Sequence, residues 1–376
     1  VGVHANGEQF KLNLHEKYHG PHGLIAGMTG SGKSEFIITY ILSMCVNYHP
    51  YEVQFVLIDY KGGGLAGAFQ NNETGVKIPH LVGTITNLDT SEMNRTLVSI
   101  ESELKRRQRI FNETKDMLGE STIDIYKYQR LYREGAVKEP LAHLFIISDE
   151  FAELKAQQPE FMAQLISTAR IGRSLGVHLI LATQKPTGVV NDQIWSNSKF
   201  KICLKVQDRG DSMEMLKKPD AASIKETGRF FLQVGYDDYF DKGQSGWAGA
   251  KYVPTDTILK KVDDSIEFIN NTGDITRSIK DIIKVQNETN DNGDQLTNIV
   301  KLIHSIGQKE NVNTHSLWLE SIPEYIYVDK LKKKYNYKPS PYIINPVIGE
   351  YDKPDEQEQG LFNVNLTEGN AVIWGQ

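Results

Sequence analysis

A glycine-rich segment near the amino end constrains this chain more than any other feature. It reads Gly27-Met28-Thr29-Gly30-Ser31-Gly32-Lys33-Ser34. The spacing Gly-x-x-x-x-Gly-Lys-Ser follows a short apolar run and precedes an amphipathic stretch, so it predicts a loop between a strand and a helix. Backbone N–H groups of such a loop wrap around a phosphate, and the helix points its positive end at the anion. Lys33 would reach the β- and γ-phosphates and the Ser34 hydroxyl would bind Mg²⁺, which predicts a site for ATP with Mg²⁺.

A second apolar run, residues 144–147, is followed by Ser148 and the acid pair Asp149 and Glu150. Beside a phosphate loop, Asp149 would hold the Mg²⁺ shell and Glu150 would orient and polarise the attacking water. Buried strands often end at an acidic cap, so the pair alone is a modest signal. Together the two motifs predict hydrolysis of the nucleotide.

A third apolar run, residues 179–183, ends at the polar amide of Gln184. We expect this strand to place Gln184 beside Glu150, where the amide can sense the γ-phosphate. A plain polar strand end is the alternative reading. The two motifs above favour the sensor.

Short apolar runs alternate with longer amphipathic stretches through the first two-thirds of the chain. The candidate strands are residues 24–26, 53–58, 80–85, 144–147, 177–182, 200–206 and 230–234, and the candidate helices are 35–44, 91–111 and 161–173. Almost continuously apolar strands are typical of a parallel sheet covered on both faces. Residues 53–58 supply the extra strand between the two motifs in the chain. The prediction is an α/β fold of the RecA-like, additional-strand P-loop NTPase kind, with a mostly parallel, doubly wound sheet.

The pattern changes after about residue 254. Residues 275–285 and 296–306 are predicted to be short helices, and the polar residues 287–294 between them a turn. Residues 362–366 and 370–375 echo residues 10–14 and 22–27, which lead into the phosphate loop. Two unrelated strand pairs of similar composition are the alternative. We therefore expect an ATPase domain at 1–254, a helical linker with a tryptophan-containing docking segment at 255–345, and the start of a second, truncated ATPase module at 346–376.

Composition argues against one class of partner. The formal net charge of -6 disfavours nucleic acid, since counterion release needs clustered Lys and Arg. The basic run Lys105, Arg106, Arg107 and Arg109 is predicted to be a solvated helix face. No apolar run approaches the roughly 18 residues needed to cross a bilayer. The chain opens with Val1, so we expect an excised, soluble fragment, and the missing apolar run then describes the fragment and not the parent protein.

Several segments together resemble the FtsK/SpoIIIE family of hexameric motors, and more narrowly the first cytoplasmic ATPase module of type VII secretion ATPases (the EssC/EccC group). The resemblance covers the whole chain. Its carriers are residues 27–35, 58–63, 79–88, 149–154, 169–184 and the Trp-Leu-x-x-Ile-Pro element at 318–323. That last element is similar to the tryptophan-bearing linker between successive modules, which can pack against the preceding motor and restrain it.

The resemblance implies a membrane-anchored, multi-module ATPase at the cytoplasmic face of the bacterial cell membrane, which helps to export proteins of the WXG100 type. The membrane anchor would lie outside this fragment. It implies a homo-oligomer, a hexamer in the full-length protein, with other ATPase modules of the same chain and other membrane components of the secretion system as partners. An arginine from a neighbouring subunit would complete each site, and the candidates are Arg95, Arg170, Arg173 and Arg209. Lys201 stands where DNA-pumping relatives carry Arg, and its ammonium cannot form the same planar fork.

Two other functions remain open at this point. One is an FtsK-like DNA-translocating motor on the same fold, which the acidic balance and the Trp318 element disfavour. The other is a weakly hydrolysing, nucleotide-dependent assembly module, although no loss of the catalytic residues is visible in the sequence.

Overall fold

The structure, a computed structural model, describes residues 1–59, 64–86, 90–236, 238–254, 266–279, 292–318, 322–323, 325–356, 358–372 and 374. Its strands are β1 (Gly2–Val3), β2 (Gln9–Phe10), β3 (Gly23–Ala26), β4 (Val53–Asp59), β5 (Gln70–Asn71), β6 (Val76–Lys77), β7 (Leu81–Ile85), β8 (His143–Asp149), β9 (Val177–Thr183), β10 (Phe200–Cys203), β11 (Arg229–Val234), β12 (Tyr239–Ser245), β13 (Ile266–Ile269), β14 (Ile275–Ile279), β15 (Val347–Lys353) and β16 (Glu358–Asn363). Its helices are α1 (Lys33–Asn47), α2 (Gly64–Gly67), α3 (Thr90–Leu118), α4 (Ile125–Arg133), α5 (Phe151–Gln157), α6 (Pro159–Gly172), α7 (Asp192–Asn197), α8 (Arg209–Leu216), α9 (Gln295–Lys309) and α10 (Val328–Lys334).

One large sheet organises the described part of the chain. Its ten strands lie in the order β2-β1-β12-β11-β10-β3-β9-β8-β4-β7. The strands from β10 to β7 are parallel to their neighbours, whereas β11, β12, β1 and β2 add an antiparallel extension. The core strands β3 and β9 are buried at every residue, as the continuous apolar runs predicted. The mostly parallel sheet is therefore confirmed.

Helices cover both faces of this sheet. One hydrophobic core contains residues of α1, α2 and α9, and the other contains residues of α3, α5, α6 and α8. Side chains of a single strand alternate between the two cores: Leu24 and Ala26 of β3 enter one, and Ile25 enters the other. The fold is thus doubly wound, as predicted.

In the chain, β4 separates the two nucleotide motifs, whereas in the sheet β9 separates them. Residues 53–58 do form a strand, β4, but it lies beyond β8. The strand between β3 and β8 is β9, which comes later in the chain. Strand order in a doubly wound sheet does not follow chain order, because crossovers can skip positions. The end of β9 consequently lies between the phosphate loop and the acid pair.

Beyond residue 254 the predictions succeed only in part. The predicted helix at 275–285 is wrong over residues 275–279, which form β14 of an antiparallel hairpin with β13, while residues 280–285 lie outside the described residues. The predicted helix at 296–306 is confirmed as α9, whose N-cap Asp294 accepts a hydrogen bond from Thr297 N. Most of the polar turn, residues 287–291, is also outside the described residues.

The C-terminal residues form a hairpin of β15 and β16. Its second strand, β16, reaches Asn363, and the described residues after it contain no strand. The antiparallel pairing of β15 with β16 resembles that of β1 with β2 at the amino end. The domain boundaries at 254 and 345, and the identification of 346–376 as a second module, stay predictions.

The basic run on α3 is not a solvated face throughout, because Arg107 is buried. Its guanidinium donates to Glu103 Oε1 at 2.8 Å and to the Leu175 carbonyl at 2.9 Å. A buried charge needs such a partner to offset its desolvation. The pairing of residues 103 and 107 on one helix face thus stabilises the buried side of α3.

Three histidines lie at the amino ends of β3, β8 and β9: His22 and His178 are buried and His143 is partly buried. Since the Pro21 carbonyl can only accept, His178 Nδ1 donates to it at 3.1 Å, and neutral His178 then accepts from His143 Nδ1 at 2.8 Å. His22 Nδ1 accepts from Leu179 N at 3.0 Å. Burial lowers the pKa of His178 to about 4. Burial first, and then the electrostatic effects of His178 and Arg173, lower the pKa of His22 to about 3.

These depressed pKa values predict a loss of stability in mild acid. Between pH 6.5 and about 4, His178 binds a proton in the unfolded chain but stays neutral in the folded one. The free energy of unfolding should therefore fall as the pH falls from about 7 towards 4, by about 3 kcal/mol for His178 alone. Chemical denaturation at several pH values measures this slope. His178→Gln should flatten it, while His49→Gln at an exposed position should not.

Of the helices that the structure describes, none combines the length and the apolar character that crossing a membrane requires.

Candidate nucleotide-binding site

The phosphate loop lies where the sequence predicted it, between the carboxyl end of β3 and the first turn of α1. Gly32 has a φ of 92°, in the left-handed region that favours glycine. A Cβ atom on Gly27 would lie 2.5 Å from Ser31 Oγ and 3.1 Å from Leu204 Cβ. A side chain at either glycine would therefore distort the loop.

Three backbone hydrogen bonds attach this loop to the surrounding strands. Gly27 N donates to the Thr183 carbonyl at 3.2 Å, and Met28 N donates to the Lys205 carbonyl at 2.8 Å. Gly228 N donates to the Ser31 carbonyl at 2.9 Å. The loop is thus held at the ends of β9 and β10 and at the start of β11, which fixes its shape before any ligand binds.

Lys33 lies between the two predicted acids. Its ammonium forms an ion pair with Asp149 Oδ1 and lies 3.9 Å from Glu150 Oε2. The Lys33 and Glu150 side chains are both about 5% exposed, so the charges are compensated inside the protein rather than by solvent. The parallel order β3-β9-β8 produces this meeting, because carboxyl ends of parallel strands lie at one edge of a sheet.

Glu150 is held in an unusual backbone conformation. Its φ of 57° and ψ of 49° are left-handed, which is uncommon for a residue other than glycine. Its Oε1 atom accepts hydrogen bonds from Thr183 Oγ1 at 3.1 Å and from Gln184 N at 3.2 Å. Two donors from the end of β9 therefore orient the carboxylate that the sequence predicted to be the catalytic base.

Gln184 lies beside Glu150, as the strand pattern predicted. Its side-chain Oε1 accepts a hydrogen bond from Thr29 Oγ1 of the phosphate loop at 3.0 Å. Through its backbone N–H and its side chain, Gln184 joins the loop to the carboxylate. This placement is what a residue needs in order to respond to a γ-phosphate, and the sensor role stays a prediction.

Two further residues of this region were not singled out from the sequence. Thr183 donates to Glu150, and Asp59 at the end of β4 pairs in register with Asp149. Asp59 is 3% exposed and accepts a hydrogen bond from Leu65 N at 2.7 Å. Two signals were available: both residues directly follow predicted strands, and both lie in segments that carry the family resemblance, 58–63 and 169–184.

The remaining predicted residues lie apart from this contact network. Ser34 is an exposed residue in the first turn of α1. Arg95 forms an ion pair with Asp352 of β15, and Arg173 pairs with Glu16 at 3.2 Å. Arg170 and Arg209 are exposed. Which arginine would serve a neighbouring subunit therefore stays a prediction.

The residues present fit ATP and Mg²⁺. Ser31 Oγ is buried and has no hydrogen-bond partner among the described residues, although it belongs to a loop whose shape suits a phosphate. Hydroxyl and carboxylate oxygens, as on Ser34 and Asp149, are the ligand types that Mg²⁺ prefers. The Lys33 ammonium lies beside the carboxylates of Asp149 and Glu150. When Mg²⁺ and a triphosphate bind, the ammonium could pair with phosphate and a carboxylate with Mg²⁺.

Comparison with known proteins agrees with this site. Residues 1–188 match the model of the FtsK/SpoIIIE family. The chain is 49% identical to the type VII secretion system protein EssC of Staphylococcus aureus strain Mu50 over 99% of its length, and 45% identical to the ESX secretion system protein YukB of Bacillus subtilis over its full length. It spans 25% and 24% of those two relatives, about a quarter of each.

Among solved structures, the fold is similar to the cytoplasmic domain of the type VII secretion ATPase EccC of Thermomonospora curvata. The TM-score is 0.71 at 23% identity, covering 97% of this chain and 38% of that one. This structural similarity shows that the chain has the P-loop NTPase fold. With the family model spanning half of the chain and the phosphate loop meeting the acid pair in space, the chain belongs to the FtsK/SpoIIIE family of P-loop ATPases.

Proposed function

We propose that this chain is an ATP-binding and ATP-hydrolysing motor module of a membrane-anchored type VII protein secretion ATPase, which drives export of WXG100-type proteins. The observation that carries the ATPase part is the meeting of Lys33, Asp149 and Glu150 beside Gln184. The secretion part rests on the 49% identity to a protein named as a type VII secretion component.

The proposal gives each of these residues a task in hydrolysis. Loop N–H groups and Lys33 would bind the β- and γ-phosphates, and Ser34 and Asp149 would hold Mg²⁺, which would neutralise phosphate charge. Glu150, oriented by Thr183 and Gln184, positions a water and accepts its proton. Lys33 leaves its ion pair with Asp149 as it turns to the phosphates. Gln184 transmits the presence of the γ-phosphate from Thr29 to Glu150.

Titration calorimetry with Mg²⁺ and ATP, followed by phosphate release, tests the ATPase part. We expect ATP binding with slow turnover, because a single chain lacks the arginine of a ring neighbour. Such an arginine can raise the rate of hydrolysis about 10³-fold or more. No binding at millimolar ATP would overturn the proposal. Binding without any turnover, even in a chain extended through the next module, would instead support the assembly-module alternative.

We also propose the partners that this function requires. They are neighbouring copies in a ring, a hexamer in the full-length protein, together with other ATPase modules of the same chain and membrane components of the secretion system. Mass measurement of the extended chain with and without ATP tests the ring. Nucleic acid is not a proposed partner, and strong stimulation of turnover by duplex DNA would favour a DNA-translocating motor instead.

The segment before residue 319 covers an edge of the motor. Leu317 N donates to the Val82 carbonyl of β7, the last strand of the sheet, at 2.9 Å. The Trp318 ring packs so closely over Gly83 that a Cβ atom there would lie 2.5 Å from it. We propose that this contact restrains the motor, because an edge strand pinned by the linker cannot adjust when the neighbouring strands respond to nucleotide.

Trp318→Ala tests this restraint. We expect ATP turnover to rise about fivefold, as for a coupling free energy of about 1 kcal/mol, or the oligomer to form more readily. Steady-state phosphate release and light scattering measure the two quantities. Trp374→Ala is the matched control, since that side chain is 88% exposed. If turnover and mass stay at the wild-type values, the linker does not restrain the motor.

A further inference from the structure

A second cavity lies at the end of the parallel strands opposite to the phosphate loop. Its volume is about 540 Å³. Pro21 before β3, residues 196–199 before β10 and Gly235 after β11 line it. Because β3 runs from Gly23 to Ala26 and then enters the phosphate loop, the length of a strand separates this cavity from the nucleotide site.

The cavity concentrates positive charge on an otherwise acidic chain. The cations that line it are Arg173, Lys199, Lys201 and Lys217, whereas Glu16 is its single acidic residue among those described. Glu16 is already paired with Arg173, at 3.2 Å. The surplus stands against a net charge of -6 for the whole chain, so it is a local feature.

Two of these lysines share one aromatic ring. The ammonium groups of Lys201 and Lys217 each lie 4.6 Å from the centroid of the Trp195 ring. Lys201 Nζ donates to the Gly235 carbonyl at 3.5 Å, and Lys217 Nζ donates to the Glu214 carbonyl at 3.2 Å. Within the described part of the chain, neither ammonium has a carboxylate within 4.0 Å, and Lys201 is only 9% exposed. Burial, and then the charge of Lys217, lower the pKa of Lys201. The ring offsets part of this repulsion, and an anion between the two would offset the rest.

A buried acceptor lies next to this pair. Gln233 is directly opposite Lys201 in the pairing of β10 with β11, and it is 2% exposed. Its Nε2 donates to the Tyr236 carbonyl at 2.6 Å, but its Oε1 accepts no hydrogen bond from any described residue. Buried polar atoms normally have a hydrogen-bond partner, so Gln233 Oε1 could accept a hydrogen bond from a bound ligand. The site lacks two complementary groups, an anion and a donor.

We propose that this cavity binds an acidic peptide segment, with a side-chain carboxylate between Lys201 and Lys217 and a backbone N–H close to Gln233. An acidic residue of a peptide brings both missing kinds of group, a side-chain carboxylate and a backbone N–H, and the half-buried Trp195 ring offers an apolar wall for the peptide chain. The acidic character of the whole chain repels such a ligand at long range. Binding therefore depends on the short-range contacts of the cavity, which makes it sensitive to single substitutions.

Titration of the whole chain with a blocked hexaglutamate peptide tests this site, with calorimetry as the readout and Trp195 fluorescence as a second one. We expect binding that hexaglutamine does not reproduce. Lys201→Met and Lys217→Met should each weaken it about tenfold or more, as expected for a charge-assisted contact. Lys218→Met is the matched control, since that ammonium lies 4.0 Å over the Phe240 ring and does not line the cavity. Trp195→Phe should remove the fluorescence change.

Three outcomes would overturn the proposal: no binding of hexaglutamate, equal binding by Lys201→Met and Lys218→Met, or inorganic phosphate binding as tightly and displacing the peptide. Lys217 is exposed, so Lys217→Met keeps the test decisive if Lys201→Met fails to fold. All these variants should bind Mg²⁺ and ATP as the unmodified chain does. A failure here is thereby distinguished from a failure at the nucleotide site.

Discussion

Glu150→Gln is expected to lower ATP turnover about 10²- to 10⁴-fold, the range that a general base contributes, while Mg²⁺ and ATP still bind. The amide cannot accept the proton of the attacking water. It is nearly the same size, so the hydrogen bond from Thr183 Oγ1 to Oε1 can persist. The ground-state site should therefore stay assembled.

Phosphate release and calorimetry on the same preparation separate the two effects. Glu153→Gln is the matched control, because Glu153 is exposed on α5 one turn beyond the base. It should turn over at the wild-type rate. Wild-type turnover in Glu150→Gln would show that another group activates the water.

Lys33→Ala should weaken the binding of ATP with Mg²⁺ about 100-fold, or about 2.7 kcal/mol. Two effects add in the same direction. The variant loses a charge-assisted contact to the phosphates, which contributes about 1.5–3 kcal/mol. It also leaves Asp149 and Glu150 facing each other without the ammonium that lies between them.

The Mg²⁺ dependence of this variant gives a second readout. In Lys33→Ala the two carboxylates are no longer neutralised by the ammonium. This variant should therefore need a higher ATP concentration for half-saturation, but it should bind Mg²⁺ alone more tightly than the wild type. Lys17→Ala, an exposed lysine before β3, is the control and should bind ATP normally. ATP affinity within twofold of the wild type would remove Lys33 from the phosphate contacts.

The central part of the fold could be predicted from the sequence because the signals for it are local. Continuous apolar runs predicted β3, β4, β8 and β9, and the alternation of strands with helices predicted that their sheet is parallel. The prediction failed at residues 275–279, where alternation of a few apolar residues fits a hairpin as well as one helical turn. It also failed for Arg107, since a basic run does not show which of its members faces the core.

What the sequence by itself determined is the pair of motifs around Lys33 and Asp149, together with the parallel sheet that brings such motifs to one edge. Only the tertiary structure decided that β9 lies between them, that Thr183 and Gln184 hold Glu150, and that Lys201 and Lys217 share the Trp195 ring. The physical reason is distance along the chain. Loop and strand patterns depend on neighbours within a few residues, whereas Gln184 meets Thr29 across 155 residues, a contact that packing of the whole sheet creates.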